Sequence, residues 1–330
     1  MESALNSEGS EHRRLRAPIQ SALSTRRVEA MVPVIEEVVS SLLDQFTADT
    51  GIVDAVEAFA MRVPLLITTR LLGIAPDKHK DFRDAIAGVF ETGVTSTEAK
   101  GRMERLTQLL DGLVRDKRDN DRAAPADDFT TDLIRQADAG TPRLSDTQLR
   151  DQLMLVVSAG IETTVHGIGN LLVQLMCQPD QRFLVTSGGV TWEQTVNESL
   201  RYRPPVEWVP LRFAVDDFND LETGARFTRG EEILINFGTA GRHPEQCPRS
   251  ADSFDVTRSP VRHLAFGYGP HSCPGAGLAR KEIEIAVRRW FERYPESRLA
   301  VPPSDLRQID SWIIVGYGKI PVELGRRHTL

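Results

Sequence analysis

The chain has 330 residues, of which 40% are apolar and 26% are charged, a composition typical of a globular enzyme with a substantial core. Lys and Arg (40) are outnumbered by Asp and Glu (47), so the net charge is −7 and nucleic-acid binding is not expected. The three cysteines show no C-x-x-C spacing, which indicates neither a disulfide framework nor a zinc site. The polar residues 1–10 and the lack of a long apolar run predict a cytoplasmic protein without membrane contact.

Apolar residues at three- and four-residue spacing predict a series of helices at the start of the chain. These helices are predicted over residues 11–23, 27–47, 53–72, 77–90 and 97–117. The polar stretch that follows, over 118–128, is predicted to be an exposed connection.

A long central helix is predicted after this connection. Ser145 and Gln148 have the spacing of a capping box, which marks a helix start, and the apolar pattern then continues to about Cys177. A further helix over 191–202 is expected to end before Pro204, because proline cannot continue a helix.

Short runs of β-forming residues, separated by Asp, Gly and Asn, begin near Val206. Strands are predicted over 209–215 and 232–236, with a final small sheet from 312–315 and 320–324. Many helices with a few late strands predict a mainly α fold of the α-rich α+β class. We expect a single domain over residues 1–330, with a helix-rich part over 10–203 and a β-rich part, which holds the cysteine loop, over 204–330.

The stretch Phe266–Gly275 reads FGYGPHSCPG and is typical of a loop that presents one cysteine. Gly267 and Gly269 allow a tight turn and a close approach of the backbone to a flat ligand. Pro274 favours a helix start directly after Cys273, where free N–H groups stabilise a thiolate. A small buried cysteine in a glycine-rich turn is the alternative interpretation.

This stretch resembles the haem-binding loop of the cytochrome P450 family, whose pattern F-G-x-G-x-H-x-C-x-G it matches at every fixed position. The resemblance implies that Cys273 is the metal ligand of a haem b iron. It also implies that Phe266, Gly267 and Gly275 belong to the cofactor site. A thiolate on haem iron pushes electron density towards bound dioxygen and favours O–O cleavage.

A second motif, Ala159–Thr163, reads AGIET and lies within the predicted central helix. Glycine, threonine and a carboxylate are unfavourable in a buried helix, and such departures tend to mark functional sites. The motif resembles the oxygen-activation motif A-G-x-[D/E]-T of the same family. The resemblance implies that Ala159 and Gly160 open a groove over the haem. It further implies that Glu162 feeds a proton relay and that Thr163 hydrogen-bonds the bound oxygen. A surface glutamate beside two threonines is the alternative.

Glu198 and Arg201 match the family's E-x-x-R motif, and their i, i+3 spacing allows them to pair. Such pairs are common on exposed surfaces and contribute little there. Residues 254–258 resemble the family's meander, whose arginine is here Arg258. The resemblance implies that the three side chains form a structural network on the proximal side of the haem, with no chemical step.

His12 and Arg16 are one helical turn apart, a spacing at which two cationic donors suit a carboxylate. An isolated pair of this kind is more often solvated surface. The resemblance implies that both bind the haem propionates, and that Arg212 and His271 are further partners of these groups.

The resemblance covers nearly the whole chain and implies a monooxygenase that hydroxylates or oxidatively couples a small-molecule or peptide natural product. The amino-acid sequence around residues 197–215 and 238–258 is similar to that of soluble actinobacterial members of the family. A ferredoxin with its ferredoxin reductase is the expected electron donor, because no flavin or iron–sulfur module fits in this length. We interpret five basic residues as its docking patch: Arg13, Arg14, Arg262, Arg280 and Lys281.

The chain departs from the family's pattern at its start, because several dozen residues usually precede the His/Arg helix. These residues supply a first helix, two strands of the main sheet and a loop over the substrate. Three explanations stay open: a mis-assigned start codon, a truncated chain, or a short enzyme with an open distal face. Loss of two strands predicts an exposed sheet edge.

Other functions compete with the monooxygenase hypothesis. A non-catalytic scaffold or activator of a partner enzyme, or an inactive fragment, would not need Cys273, Glu162 and Thr163. A cysteine hydrolase that uses Cys273 and His271 is disfavoured, because residues two apart in a tight loop are badly placed to share a proton. Pro274 also removes an N–H group from an oxyanion hole.

Overall fold

Helices make up most of the protein. The computed structural model describes residues 2–46, 51–90, 94–120, 127–140, 143–245, 247, 250–259 and 262–328. The α-helices in these ranges are α1 (Gly9–Ala22), α2 (Thr25–Leu43), α3 (Arg62–Leu71), α4 (His79–Phe90), α5 (Ser96–Asn120), α6 (Phe129–Ala139), α7 (Asp146–Cys177), α8 (Pro179–Thr186), α9 (Trp192–Tyr202), α10 (Phe237–Gly241) and α11 (Ala276–Arg293).

The strands are short and pair antiparallel. They are β1 (Ile52–Asp54), β2 (Trp208–Phe213), β3 (Phe218–Asn219), β4 (Arg226–Phe227), β5 (Glu232–Asn236), β6 (Arg298–Leu299) and β7 (Pro321–Glu323). One sheet has the order β1-β7-β6, while β2 pairs with β5 and β3 with β4. The register of β2 and β5 shifts between Val209 and Arg212, which marks a bulge. These elements confirm the mainly α fold with small sheets.

Helix α7 is the centre of the core. Its capping box is confirmed, because the Ser145 hydroxyl accepts the Gln148 N–H and the Gln148 side chain accepts the Ser145 N–H. Among the described residues α7 alone is long and apolar enough to cross a membrane, but 67% of its apolar window is buried inside the protein. It packs against α3, α5, α9 and α11, as a core helix does. One cluster of buried apolar side chains extends from Ala4 to Leu324.

The helix predicted over 53–72 is wrong at its start. Val53 pairs with Val322 in the first sheet, and Ile52 and Val53 are β-branched residues that favour strands. The Asp54 carboxylate then accepts the Val56 N–H and the Ile320 N–H. This carboxylate therefore ends the strand and begins a π-helical turn, Val56–Ala60, that leads into α3.

The exposed connection predicted over 118–128 is wrong at both ends. Helix α5 continues to Asn120 because Arg118 pairs with Asp138 and Asp146. Asp128 caps the unpredicted helix α6 by accepting the Thr131 N–H. Residues 121–126 lie outside the described residues.

The predicted final sheet is also partly wrong. Residues 321–323 form β7, but 312–315 form no strand among the described elements. The Ser311 hydroxyl accepts the N–H groups of both Ile313 and Ile314, which turns the backbone away from an extended course. Ile314 keeps one isolated bridge, to Val206.

Candidate functional site

The cysteine loop is held in shape by its own backbone. The Phe266 carbonyl accepts the Cys273 N–H at 2.7 Å, and the Leu264 carbonyl accepts the Gly267 N–H at 2.8 Å. Gly267 and Gly269 have φ values of 71° and 75°, a region that only glycine enters freely. The predicted tight turn is confirmed at these two positions.

Cys273 is an exposed residue, but protein surrounds its thiol closely enough for burial to raise the pKa of that thiol. The Gly275 N–H and the positive charges of Arg16 and Arg280 act in the opposite direction. The helix predicted after Cys273 is present, but Gly275 is its N-cap and α11 begins at Ala276 instead of at Pro274. The sulfur nevertheless lies next to the free N–H groups of the first turn, which favour a negative ligand.

Two predicted propionate partners from α1 meet the cysteine loop. The rings of His12 and His271 are 4.2 Å apart between centroids, and Arg16 donates through Nη2 to the Ser272 carbonyl. His271 Nε2 lies 3.1 Å from Glu8 Oε1. The His12 Nε2 atom is buried and has no hydrogen-bond partner among the described residues. A buried polar atom of this kind requires a hydrogen-bond partner, and a carboxylate oxygen of a bound group would serve as that partner.

Arg212 does not join this cluster. It lies on β2 with an exposed side chain, and no hydrogen bond or ion pair connects its side chain to His12, Arg16 or His271. Three of the four predicted propionate partners are thus adjacent to Cys273.

The middle of α7 presents an open face. Ala159 and Gly160 are exposed although the helix around them is buried, and a Cβ atom on Gly160 would meet nothing within 4 Å. The Thr163 hydroxyl donates to the Ala159 carbonyl at 2.6 Å, and the Thr164 hydroxyl donates to the Gly160 carbonyl at 2.8 Å. This part of α7 has small side chains, and its hydroxyls are already hydrogen-bonded to the backbone. A flat ligand could therefore lie against it.

Glu162 is half-buried, and burial raises the pKa of its carboxyl. Within the described residues its side chain forms no ion pair and no hydrogen bond, so the carboxyl is available to a ligand or a proton. A raised pKa brings a carboxylic acid closer to neutral pH, where it can both accept and release a proton.

Glycine also brings α7 close to the helix that follows the cysteine. A Cβ atom on Gly167 would lie 2.6 Å from the Ile283 Cδ1 atom of α11. Helices α7 and α11 therefore pack together one turn beyond Thr163, and this contact fixes the oxygen motif relative to the helix that begins after Cys273.

The predicted E-x-x-R network is present and buried. Arg201 binds Glu198 through two hydrogen bonds of 2.7 and 2.8 Å, and the two side chains are only 1% and 4% exposed. Arg258 adds an ion pair to Glu198 at 3.2 Å. The remaining Arg201 N–H groups donate to the carbonyls of the meander and of α10, at Gly241, Ala251 and Ser253.

Two residues of functional interest were missed by sequence reasoning. Glu282 is fully buried on α11, its Oε2 atom has no partner among the described residues, and burial raises its pKa to about 8. His166 is buried on α7 with its pKa lowered to about 4 by burial. A signal existed for Glu282, because it lies one turn after the buried Leu278 and one turn before the buried Ala286.

The basic residues of the predicted docking patch differ in their surroundings. Arg13 and Arg262 are exposed. Arg14 pairs with Glu11, and Lys281 pairs with Glu284. Arg280 points inwards onto the Phe266 ring.

The exposed Cys273 thus lies in a loop whose His271 packs against His12, a buried histidine with an unpartnered Nε2 atom in the described part of the chain. The sequence profile of the cytochrome P450 family matches residues 93–182 and 192–316. The chain therefore belongs to the cytochrome P450 family, whose members carry haem, and it is a monooxygenase of that family.

Bacterial relatives agree with this assignment. The chain is 34% identical to the 2-hydroxy-5-methyl-1-naphthoate 7-hydroxylase of Streptomyces carzinostaticus, over 99% of this chain and 78% of the relative. It is 33% identical to the cytochrome P450 monooxygenase PikC of Streptomyces venezuelae, over 98% and 77%. The structure of CYP154A1 from Streptomyces coelicolor A3(2) is similar with a TM-score of 0.83 at 40% identity, over 98% of this chain and 80% of that one.

Proposed function

We propose that residues 1–330 act as one cytoplasmic haem b monooxygenase domain that oxidises a small organic or peptide natural product. The observation that carries this proposal is the Cys273 loop, in which backbone hydrogen bonds fix an exposed cysteine. Haem bound there supplies the activation of dioxygen.

The residues of the chain hold the haem at three points in this proposal. Cys273 binds the iron as a thiolate, and the loop residues Phe266, Gly267 and Gly275 lie against the haem. His12, Arg16 and His271 bind the propionates, which gives the buried His12 Nε2 atom a partner. Arg212, exposed on β2, would reach the same carboxylates from the strand side.

The face of α7 orients the reacting groups. Ala159 and Gly160 would leave room for the haem, and the Thr163 hydroxyl, which donates to the Ala159 carbonyl, would be free to turn towards a reacting group if that bond opened. Glu162 would supply protons to that hydroxyl, and burial raises the pKa of its carboxyl, which suits a group that takes up and releases protons.

Hydroxylation of a C–H bond is the proposed reaction, with oxidative coupling as the other outcome of the same site. The name of the naphthoate relative specifies a hydroxylation, which supports a small aromatic or polyketide-type substrate. Electrons arrive from a ferredoxin and its ferredoxin reductase. Arg13 and Arg262, the exposed members of the predicted docking patch, would meet an acidic partner.

Reconstitution with a ferredoxin, its reductase and ¹⁸O₂ tests the reaction. Candidate aromatic and macrolide substrates are first selected by the shift of the Soret band that accompanies loss of water from the iron. The proposal predicts one ¹⁸O atom in the hydroxylated product. Glu162→Gln should slow product formation while leaving the substrate-induced shift unchanged. The proposal would be contradicted if a haem-loaded protein gave a product that contains no ¹⁸O and is not a coupled product.

A further inference from the structure

Arg280 has an unusual position for a residue near the protein surface. It lies on the first turns of α11, behind the cysteine loop, and its guanidinium carbon lies 4.3 Å from the centroid of the Phe266 ring. Its Nε atom donates to Asn197 Oδ1 of α9 at 3.2 Å. The side chain therefore links α9, α11 and the cysteine loop.

The charge of Arg280 is not neutralised by a nearby acid. Within the described residues no carboxylate lies within ion-pair distance of this guanidinium, and burial lowers its pKa. The acidic groups that favour its charged form are the Cys273 thiolate and Glu193. A negative charge on Cys273 would therefore favour the charged form of Arg280.

Phe266 connects Arg280 to the backbone of the cysteine loop. A guanidinium over the face of an aromatic ring is attracted by the ring's quadrupole, so Arg280 holds Phe266 from behind. The Phe266 carbonyl in turn accepts the Cys273 N–H at 2.7 Å. Movement of Arg280 would therefore disturb the backbone that carries the sulfur.

We propose that Arg280 is a positioning residue that keeps a fixed positive charge behind the cysteine loop and raises the reduction potential of the haem bound there. One-electron reduction, with the electron supplied by the ferredoxin, adds negative charge to the haem–thiolate unit. A partly buried cation nearby stabilises this added charge more strongly than the same cation would at the same distance in bulk water. The inference rests on the haem-thiolate site proposed above.

The test is a spectroelectrochemical titration of the haem-loaded protein and of its Arg280→Gln variant. We expect the reduction equilibrium constant of Arg280→Gln to fall on the order of tenfold, which corresponds to about 59 mV for a one-electron couple. Arg280→Lys keeps the charge without the planar stacking, and its potential should lie between those of the two proteins.

Lys281→Gln is the matched control. Lys281 is the next residue on α11, but its ammonium group pairs with Glu284 at 3.2 Å, so its charge is already compensated. The same titration should give this variant the potential of the unmodified protein. Asn197→Ala removes the anchor of Arg280 without altering any charge, and it should produce a smaller fall than Arg280→Gln.

The outcomes separate the inference from the proposed function. A protein without a thiolate-ligated haem spectrum contradicts the proposed function itself. A normal spectrum with equal potentials for Arg280→Gln and the unmodified protein overturns only the role of Arg280. Slower reduction by ferredoxin at an unchanged potential would assign Arg280 to partner docking and also overturn it. If Arg280→Gln does not fold, the reduction potentials of Asn197→Ala and Arg280→Lys serve as the test. Potentials equal to that of the unmodified protein in both variants would reject the inference.

Discussion

The two sides of the proposed haem site are built in opposite ways. On the side of Cys273 the polar groups of Glu198 and Arg201 are buried and fully bonded, and the loop is fixed by its own backbone. On the side of α7 the small residues Ala159 and Gly160 are exposed, and the Glu162 carboxyl has no bonding partner in the described part of the chain. In the proposed function, the bonded side would hold the iron ligand in place, and the α7 side would provide space and a proton-carrying group for the reaction.

Cys273→Ser is expected to have the largest effect, because it removes the thiolate from the side of the site that contains the cysteine loop, Glu198 and Arg201, which is called the rigid side below. The side formed by α7 is called the open side. The variant should lose thiolate-ligated haem completely, as measured by electron paramagnetic resonance and haem content after gel filtration. Cys177→Ser, which changes the exposed thiol at the end of α7, is the control and should retain haem. Equal haem spectra in both variants would contradict the assignment of Cys273.

Arg201→Ala tests whether the buried network stabilises the rigid side. Removal of Arg201 leaves the buried Glu198 carboxylate with Arg258 as its only cationic partner among the described residues, and breaking a buried pair costs up to about 3–5 kcal/mol. Urea denaturation of the variant should show this loss in the free energy of unfolding. Arg298→Ala removes a pair with Glu323 that is 72% exposed on the arginine side, and it should cost less than about 1 kcal/mol. Similar losses in the two variants would argue against a special role for the network.

Glu282→Gln tests the cost of a buried carboxyl on the helix that follows the cysteine. The folded-state pKa of about 8 exceeds the ordinary value of 4.5, so folding takes up a proton between these pH values. Stability should therefore fall as pH rises from about 4.5 to 8. The variant should be more stable than the parent by up to about 3 kcal/mol at pH 7, and equally stable at pH 4.

The measurement for this prediction is thermal unfolding across the pH range. Glu284→Gln, on the same helix and paired with Lys281, is the control and should show no gain at pH 7. A pH-independent difference between Glu282→Gln and the parent would mean that the carboxyl does not titrate as described.

Thr163→Ala should have the smallest effect on the fold and a selective effect on the open side. Loss of the hydroxyl leaves haem binding intact and diverts electrons to hydrogen peroxide. We expect the ratio of product to consumed NAD(P)H to fall on the order of tenfold. Thr164→Ala removes the neighbouring, buried hydroxyl and should leave this ratio near the parent value. Full coupling in Thr163→Ala would show that the relay does not pass through this residue.

Sequence reasoning found the rigid side more completely than the open side. The cysteine loop, the i, i+3 pair Glu198–Arg201 and the capping box at Ser145 depend on local spacing, and each is confirmed in the structure. Local spacing also predicted the long helix α7 to its last residue, Cys177.

Features that depend on distant contacts were missed. The strand at Val53 exists because it pairs with Val322, which lies near the other end of the chain. The inward position of Arg280 depends on the Phe266 ring and on Asn197, and a basic residue beside a cysteine gives no sign of such contacts. Helix α6 was missed because its capping residue Asp128 was assigned to a polar connection.

The reduced carbon-monoxide difference spectrum of the 330-residue protein tests the central claim most directly. The account predicts a red-shifted Soret band of the thiolate-ligated form, which reports haem and Cys273 ligation in one measurement. No haem, or only the blue-shifted band of a haem that has lost its thiolate, would contradict it.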